Sequence, residues 1–131
     1  MAARWLVDGM NVVGSRPDGW WRDRRGAMRR LLGELEAFAE ATGDEVEVVF
    51  DGRPFELDGG GAVEVGFAPG GRDAADHAIA DMVAADPDPA AITVVTSDAE
   101  LERRVREHGA QVLGAGAFRR RLDDGPPGRT L

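Results

Sequence analysis

The stretch RWLVDGMNVVG, residues 4–14, runs from an apolar segment directly into an aspartate, a glycine and an asparagine. Residues 5–7 have the character of a buried strand, and Asp8 follows where such a strand would end. The same pattern occurs twice more, with Asp51 after the apolar segment 46–50 and Asp98 shortly after the segment 92–95. If these strands are parallel, their carboxyl ends share one edge of a sheet, and the carboxylates meet there.

Apolar segments alternate with amphipathic ones along the chain. The pattern predicts strands at residues 5–7, 46–50, 62–67, 92–95 and 111–113, and helices at 26–41, from about 73, at 98–108 and within 114–122. Strict alternation in 62–67 indicates an edge strand, whereas the fully apolar segment 92–95 indicates a central one. We therefore expect an α/β layer fold with a mainly parallel five-stranded sheet. One domain is predicted over residues 1–122, followed by a disordered tail, 123–131.

The composition excludes several classes of protein. All 16 basic residues are arginine, so the chain lacks the lysine of a Walker-A loop or of a Schiff-base enzyme. It has no cysteine, which excludes thiol chemistry and is typical of a cytoplasmic protein. No apolar run is long enough to cross a membrane. The net charge of -8 disfavours nucleic-acid binding unless arginines cluster locally.

A second helix begins near Asp73 and Asp76, whose spacing of three places both side chains on one face of its first turn. Two carboxylates about 5 Å apart repel each other by roughly 3 kcal/mol at an effective dielectric constant near 20. A cluster with Asp8, Asp51 and Asp98 therefore requires shared protons or a cation. Oxygen ligands without cysteine favour Mg²⁺ or Mn²⁺, and the matching chemistry is phosphodiester hydrolysis.

Each of these aspartates also has a structural interpretation. Asp73 and Asp98 could cap helices, because a carboxylate accepts hydrogen bonds from the free N–H groups of a first turn. Asp8 and Asp51 each precede a glycine and could belong to turns. Asn11 could stabilise a turn or orient a phosphate or a water molecule. These alternatives explain single residues more easily than they explain the whole set.

The loop 15–26 contains a tryptophan pair among arginines. Trp20 and Trp21 could stack on bases, or one of them could fill the core below the loop. The arginines that could hold an RNA backbone are Arg22, Arg24, Arg25 and Arg29. Their alternative role is that of an ordinary solvated helix face.

Four motifs together resemble the YacP-like branch of the NYN domain family, within the PIN-like nuclease fold. They are LVDGMNVVG, VVFDG, RDAADHAIADM and ITVVTSDAEL, and the resemblance extends over about residues 4–122. It implies a three-layer α/β/α fold, metal-dependent ribonuclease activity and an acidic cluster in one cleft. By motif, it assigns functional positions to Asp8, Asn11, Asp51, Asp76 and Asp98, and a less defined acidic position to Asp73.

These observations predict an endoribonuclease that depends on Mg²⁺ or Mn²⁺ and acts on RNA, including ribosome-associated RNA. Asp8, Asp76 and Asp98 are the predicted metal ligands, joined by Asp73, while Asp51 and Asn11 complete the catalytic set. A first alternative is a non-catalytic RNA- or ribosome-binding module on the same fold. A second is a metal-dependent phosphatase acting on small molecules, although the Asp-x-Asp pair of one phosphatase class is missing because position 10 is Met10.

Overall fold

The computed structural model of the chain describes residues 3–57, 61–71 and 73–125. Its strands are β1 (Arg4–Asp8), β2 (Glu45–Asp51), β3 (Val63–Ala68), β4 (Ile92–Val95) and β5 (Gln111–Leu113). Its α-helices are α1 (Gly9–Val13), α2 (Arg24–Thr42), α3 (Ala74–Ala85), α4 (Ala99–Glu107) and α5 (Ala115–Asp124). Short 3-10 turns occupy Trp20–Arg22 and Pro89–Ala91. Within these ranges, no helix is both long and apolar enough to cross a bilayer.

The strands form one sheet in the order β3-β2-β1-β4-β5, and all neighbours are parallel. Runs of valine, isoleucine and phenylalanine suit such a sheet, since its inner strands are buried on both faces. The predicted edge strand is β3, and β4 lies inside the sheet as expected. The chain leaves β1 towards β2 on one side and returns to β4 on the other. A crevice is expected outside the carboxyl ends of β1 and β4, where the strand order reverses.

Helices cover both faces of the sheet and complete the predicted three-layer α/β/α sandwich. On one face, α1, α2 and α5 enclose a core that includes Leu35 and Phe118. On the other, α3 and α4 bury Ile79 and Leu101 against the sheet. The apolar spacing of three and four residues that predicted α2 and α3 corresponds to these buried faces.

Helix α1 is the one α-helix that the sequence pattern does not predict. Its five residues cover less than two turns, which is too short for a helical period to be recognised. The helix makes Asp8 an N-cap residue, yet the Asp8 side chain forms no capping hydrogen bond. At the other end of the chain, α5 continues to Asp124, past the expected domain end at 122. Residues 126–131 of the predicted tail lie outside the described residues.

The close approach of α1 to the sheet depends on Gly9. A Cβ atom at this position would lie 2.4 Å from Cδ1 of Phe50, which is completely buried. We expect Gly9→Ala to lower the free energy of unfolding by about 1–3 kcal/mol, because the packed core must shift to accept a methyl group. Urea denaturation measures the change. Gly33→Ala is the control, since its Cβ would meet nothing within 4 Å. Equal stability of Gly9→Ala and the wild type would contradict this packing.

Candidate active site

The carboxyl ends of β1, β2 and β4 bring aspartates to one edge of the sheet. Asp8 is the last residue of β1, and Asp51 is the last residue of β2. Asp98 is the N-cap of α4 and lies three residues beyond the end of β4. This arrangement follows from parallel pairing, which points every strand of the sheet in the same direction.

Asp76 reaches the same edge from α3, where it lies in the first turn. Oδ1 of Asp51 accepts a hydrogen bond of 2.9 Å from the backbone N–H of Ala75 and so fixes the start of α3 at the end of β2. Asp73 precedes the helix in the left-handed region, with φ of 66°, and its side chain makes no capping hydrogen bond. The capping role considered for Asp73 therefore belongs to Asp51.

Asp8 is buried, with 4% of its surface exposed. Burial raises the pKa of its carboxyl group from 3.8 to about 7, and the nearby charges of Asp76 and Asp51 add to the increase. The hydroxyl of Thr96 opposes this shift by donating a hydrogen bond of 3.0 Å to Oδ2 of Asp8. Asp8 is thus held in one orientation while its ionisation is disfavoured.

The pKa of Asp76 is also raised, from 3.8 to about 6. Partial burial is the largest cause, followed by the charges of Asp98, Asp73 and Asp51. Two aspartates with raised pKa values, each influenced by its acidic neighbours, are typical of a site that accepts a proton or a cation.

The segment after β4 links the aspartates through hydrogen bonds. The Thr96 hydroxyl that donates to Asp8 also accepts a bond of 3.1 Å from the N–H of Asp98. Oδ1 of Asp98 accepts from the N–H of Leu101 at 2.8 Å, so the capping role considered for Asp98 is real. Oδ1 of Asn11 accepts from the N–H of Ser97 at 2.9 Å, which joins α1 to the same segment. The amide nitrogen of Asn11 carries two further donors for a ligand.

From the sequence, Thr96 has two candidate roles, helix capping and contact with the outer shell of a metal site, and capping is the favoured one. The structure shows its hydroxyl bonded to both Asp8 and the N–H of Asp98. Its contact with Asp8 joins residues 88 positions apart in the chain, so only the folded arrangement reveals it.

The capacity of this edge to hold a metal depends on how many carboxylates meet. Across residues 3–57, 61–71 and 73–125, no three His, Asp or Glu side chains are arranged to hold one ion together. Asp98 and Asp51 each use one oxygen to accept from a helix N–H, which leaves the second oxygen of each available to a metal-bound water. Mg²⁺ generally takes only one or two direct carboxylates and keeps several waters. The raised pKa values of Asp8 and Asp76 fit an ion of this kind, with the other aspartates interacting through water.

The two raised pKa values lead to an expected pH dependence of stability. Between about pH 4 and pH 7 the folded protein holds protons on Asp8 and Asp76 that the unfolded chain has released. Their contribution to the free energy of unfolding therefore decreases as the pH rises through this range, by up to about 4 kcal/mol for Asp8. We expect Asp8→Asn to remove the Asp8 part of that decrease in urea titrations with EDTA, whereas Asp81→Asn, at an exposed position of α3, should leave the decrease unchanged. An identical slope in Asp8→Asn and wild type would contradict the shifted pKa.

The predicted RNA-binding arginines are exposed and lie beside the acidic edge. Nη2 of Arg24 donates a hydrogen bond of 2.9 Å to the backbone carbonyl of Asp51. The guanidinium groups of Arg25 and Arg29 lie over the ring of Phe55, at 4.6 and 5.4 Å from its centroid. Arg22 lies on the 3-10 turn that precedes α2. Stacking on Phe55 holds two of the cations in place without neutralising them.

Within the described part of the chain, ion pairs involve some of the arginines on α4 and α5 but none of this arginine cluster. Among the described residues, no acidic group pairs with Arg22, Arg24, Arg25 or Arg29 within 4 Å. On α4, Arg103 pairs with Glu100 and Glu107, and Arg106 pairs with Glu102. Arg119 on α5 pairs with Glu34. Among the described residues, Arg104, Arg120 and Arg121 also lack an acidic partner, so positive charge available to a phosphate lies near the end of β2 and on α4 and α5 as well.

The large cavity of about 580 Å³ lies at the opposite edge of the sheet. Its lining includes Arg4, Glu45 and Asp86, at the amino ends of β1 and β2 and the end of α3. None of the clustered aspartates contributes to it. We assign the site to the acidic edge because the aspartates that share hydrogen bonds and influence each other's ionisation lie there.

Comparisons with known proteins agree with this architecture. The model of the YacP-like NYN domain family matches residues 5–126. The crystal structure of Rae1 (YacP) from Bacillus subtilis is similar, with a TM-score of 0.77 and 26% identity over 92% of this chain and 73% of that chain. A mutant form of the same protein gives a TM-score of 0.78 and 27% identity over 95% and 76% of the two chains. Among curated proteins, none matches this chain significantly.

Proposed function

This chain belongs to the YacP-like NYN domain family, and we propose that it is an endoribonuclease that depends on Mg²⁺ or Mn²⁺. NYN domains are nuclease-like, which makes RNA the expected substrate class. The observation that supports the proposal most strongly is that the fold brings Asp8, Asp51, Asp76 and Asp98 to the carboxyl edge of the sheet, where burial and acidic neighbours raise the pKa of Asp8 and Asp76. Ribosome-associated RNA and a cytoplasmic location stay predictions.

In this proposal, Asp8 and Asp76 hold the ion directly, while Asp98, Asp51 and Asp73 act through water. A divalent ion bound there would activate a water molecule and offset the negative charge that develops on the phosphate. The raised pKa values make both carboxylates strong proton acceptors near neutral pH, so a cation and a proton compete for them. Mg²⁺ and Mn²⁺ both suit carboxylate ligands, and no cysteine of this chain competes for a softer metal.

The remaining residues position these groups and the substrate. Thr96 orients Asp8 through its hydroxyl, since the hydrogen bond fixes Oδ2. Asn11 is fixed by its bond to the Ser97 N–H and can donate to a non-bridging phosphate oxygen. Arg22, Arg24, Arg25 and Arg29 offer donors to the phosphates next to the cleaved one. Their contribution is expected to weaken with ionic strength.

One experiment tests the activity directly. The purified chain is incubated with an end-labelled RNA in Mn²⁺, in Mg²⁺ and in EDTA, and the products are separated on a denaturing gel. The proposal requires internal cleavage with either metal and none in EDTA. Cleavage that is equally fast in EDTA would contradict metal dependence, and no cleavage under any condition would contradict the nuclease function.

A second candidate is a non-catalytic RNA-binding module on the same fold. The observation that favours it is that no three potential metal ligands are grouped within the described residues. In that case Arg24→Ala combined with Arg25→Ala would weaken RNA binding, whereas substitutions of Asp8 or Asp76 would not. The incubation above separates the two candidates, because only the first produces metal-dependent cleavage.

A further inference from the structure

The tryptophan pair before α2 consists of one anchored and one exposed residue. Trp20 is half-buried and packs against the core formed with α2. Trp21 is 60% exposed and is the one large hydrophobic side chain found exposed among the described residues. Of this pair, Trp20 therefore fills the core below the loop. Trp21 does not, and its exposed ring is available to a ligand.

The backbone around Trp21 is held in a defined conformation. The turn begins at Gly19, whose φ of 77° lies in the left-handed region, and the N–H of Arg22 donates to the Gly19 carbonyl at 3.0 Å. Asp23 then caps α2 by accepting from the N–H of Gly26 at 3.0 Å. The two indole rings meet edge to face, with centroids 6.1 Å apart and planes at 85°. Trp21 is thus supported by the turn, by the α2 cap and by the anchored ring of Trp20.

The turn that carries this ring is connected to the acidic edge through Arg24. Trp21 precedes Arg24 by three residues, so their Cα atoms are at most about 11 Å apart. The side chain of Arg24 in turn contacts the carbonyl of Asp51, the last residue of β2. An RNA strand that extends from the aspartates past Arg24 would therefore run towards this ring.

The surroundings of Trp21 favour RNA over a protein as its ligand. Arg22 is adjacent, and neither it nor Arg24 pairs with an acidic group among the described residues. An apolar protein interface would require further exposed hydrophobic side chains near the ring, and none is found there in the described residues. An aromatic face among unpaired guanidinium groups matches a base followed by phosphates.

We propose that Trp21 is a specificity-determining residue whose indole stacks on an unpaired base of the RNA bound at the acidic edge. This inference rests on the proposed function and specifies it further. In an A-form duplex the bases are stacked on each other and their faces are not accessible to a side chain. The stacking interaction therefore favours single strands, whereas the arginine contacts to phosphate are available to both forms.

The test measures RNA binding without cleavage. A roughly 12-nucleotide labelled RNA, alone and annealed to its complement, is titrated with protein in EDTA at low ionic strength and followed by fluorescence anisotropy. We expect Trp21→Ala to weaken binding of the single strand by about 5-fold or more and to change binding of the duplex less than about 2-fold. Trp21→Phe should keep much of the affinity, because phenylalanine also presents an aromatic face.

A control and a spectroscopic signal accompany these titrations. Arg106→Ala removes one positive charge from α4, where Arg106 is paired with Glu102, and should leave both affinities unchanged. RNA should quench tryptophan fluorescence in the wild type, and Trp21→Phe should lose most of that quenching although it still binds. Circular dichroism checks that each variant is folded, which the exposure of Trp21 favours.

The outcomes separate this inference from the nuclease proposal. Unchanged single-strand affinity in Trp21→Ala would overturn the inference, as would equal losses for single strand and duplex; the first result is also the one expected if Trp21 instead contacted a protein. Undetectable binding of the wild type to the single strand would overturn it too. Trp21→Ala could lose affinity for the single strand alone while the wild type cleaves no RNA. This pair of results would support the stacking role of Trp21 and contradict only the nuclease activity.

Discussion

The Asp8→Asn variant is expected to fold normally and to lose RNA cleavage by at least about 100-fold, since even outer partners of a metal site contribute about 10- to 100-fold. Asparagine keeps the shape of the side chain and an oxygen that can accept from the Thr96 hydroxyl. It removes the negative charge that we propose binds the ion. The measurement is the initial rate of cleavage in Mn²⁺, with circular dichroism and thermal unfolding on the same preparation.

The free energy of unfolding of this variant provides an independent test of the raised pKa of Asp8. Because burial and neighbouring charges disfavour the ionised form of Asp8, Asp8→Asn should be more stable than the wild type near pH 8 in EDTA. Glu47→Gln is a matched control, since the pKa of Glu47 is also raised by burial and by Glu64. Glu47 lies four residues before Asp51 on β2, about 13 Å from the acidic edge. Full activity of Asp8→Asn, or an equal loss in Glu47→Gln, would contradict the assignment of Asp8.

The Asp76→Asn variant is expected to show a loss of cleavage of similar size, at least about 100-fold. Asp76 lies in the first turn of α3, and its pKa is raised by partial burial and then by the charges of Asp98, Asp73 and Asp51. Neutralising it relieves that repulsion, so stability in EDTA should stay the same or increase. The cleavage rate and the concentration of Mn²⁺ that gives half the maximal rate are both measured.

A control on the same helix distinguishes a specific role of Asp76 from the general effect of removing one negative charge. Asp81→Asn makes the same chemical change five residues later, at an exposed site of α3. It should retain the activity of the wild type, because it changes the net charge of the protein equally without touching the acidic edge. If both variants lost activity to the same extent, a general charge effect would explain the result and Asp76 would have no specific role.

Much of the site was predictable because parallel strands align their ends. Apolar segments followed by aspartate predict that Asp8, Asp51 and Asp98 lie at one edge, and the structure places them there. Alternation in the third strand also identified the edge of the sheet correctly. Both predictions need only local sequence and a general rule about sheets.

Other features depend on contacts between distant parts of the chain and could not be predicted. The central place of β1 follows from pairing with both β2 and β4, which no single segment encodes. Asp51 rather than Asp73 accepts from an N–H at the start of α3, and this contact depends on where α3 meets β2. The bond from Thr96 to Asp8 likewise forms only in the folded chain.

The arginine clusters illustrate a signal that local sequence did contain. Glu102 and Arg106 are four residues apart on one helix, as are Arg103 and Glu107, and this spacing favours ion pairs. Residues 22–30 contain Asp23 as their only acid, and it is used to cap α2. Local spacing could thus have identified the ion pairs of Arg103 and Arg106, whereas the pair of Arg119 with the distant Glu34 and the contact of Arg24 with Asp51 required the fold.

In the proposed site, Asp8 and Asp76 bind one divalent ion together. Isothermal titration calorimetry near pH 8 measures this binding when Mn²⁺ is titrated into the wild type, Asp8→Asn, Asp76→Asn and Asp81→Asn. We expect one binding event in the wild type and in Asp81→Asn, and its loss in both Asp8→Asn and Asp76→Asn. Binding of unchanged affinity in either of these two variants, or no binding in the wild type, would contradict the claim.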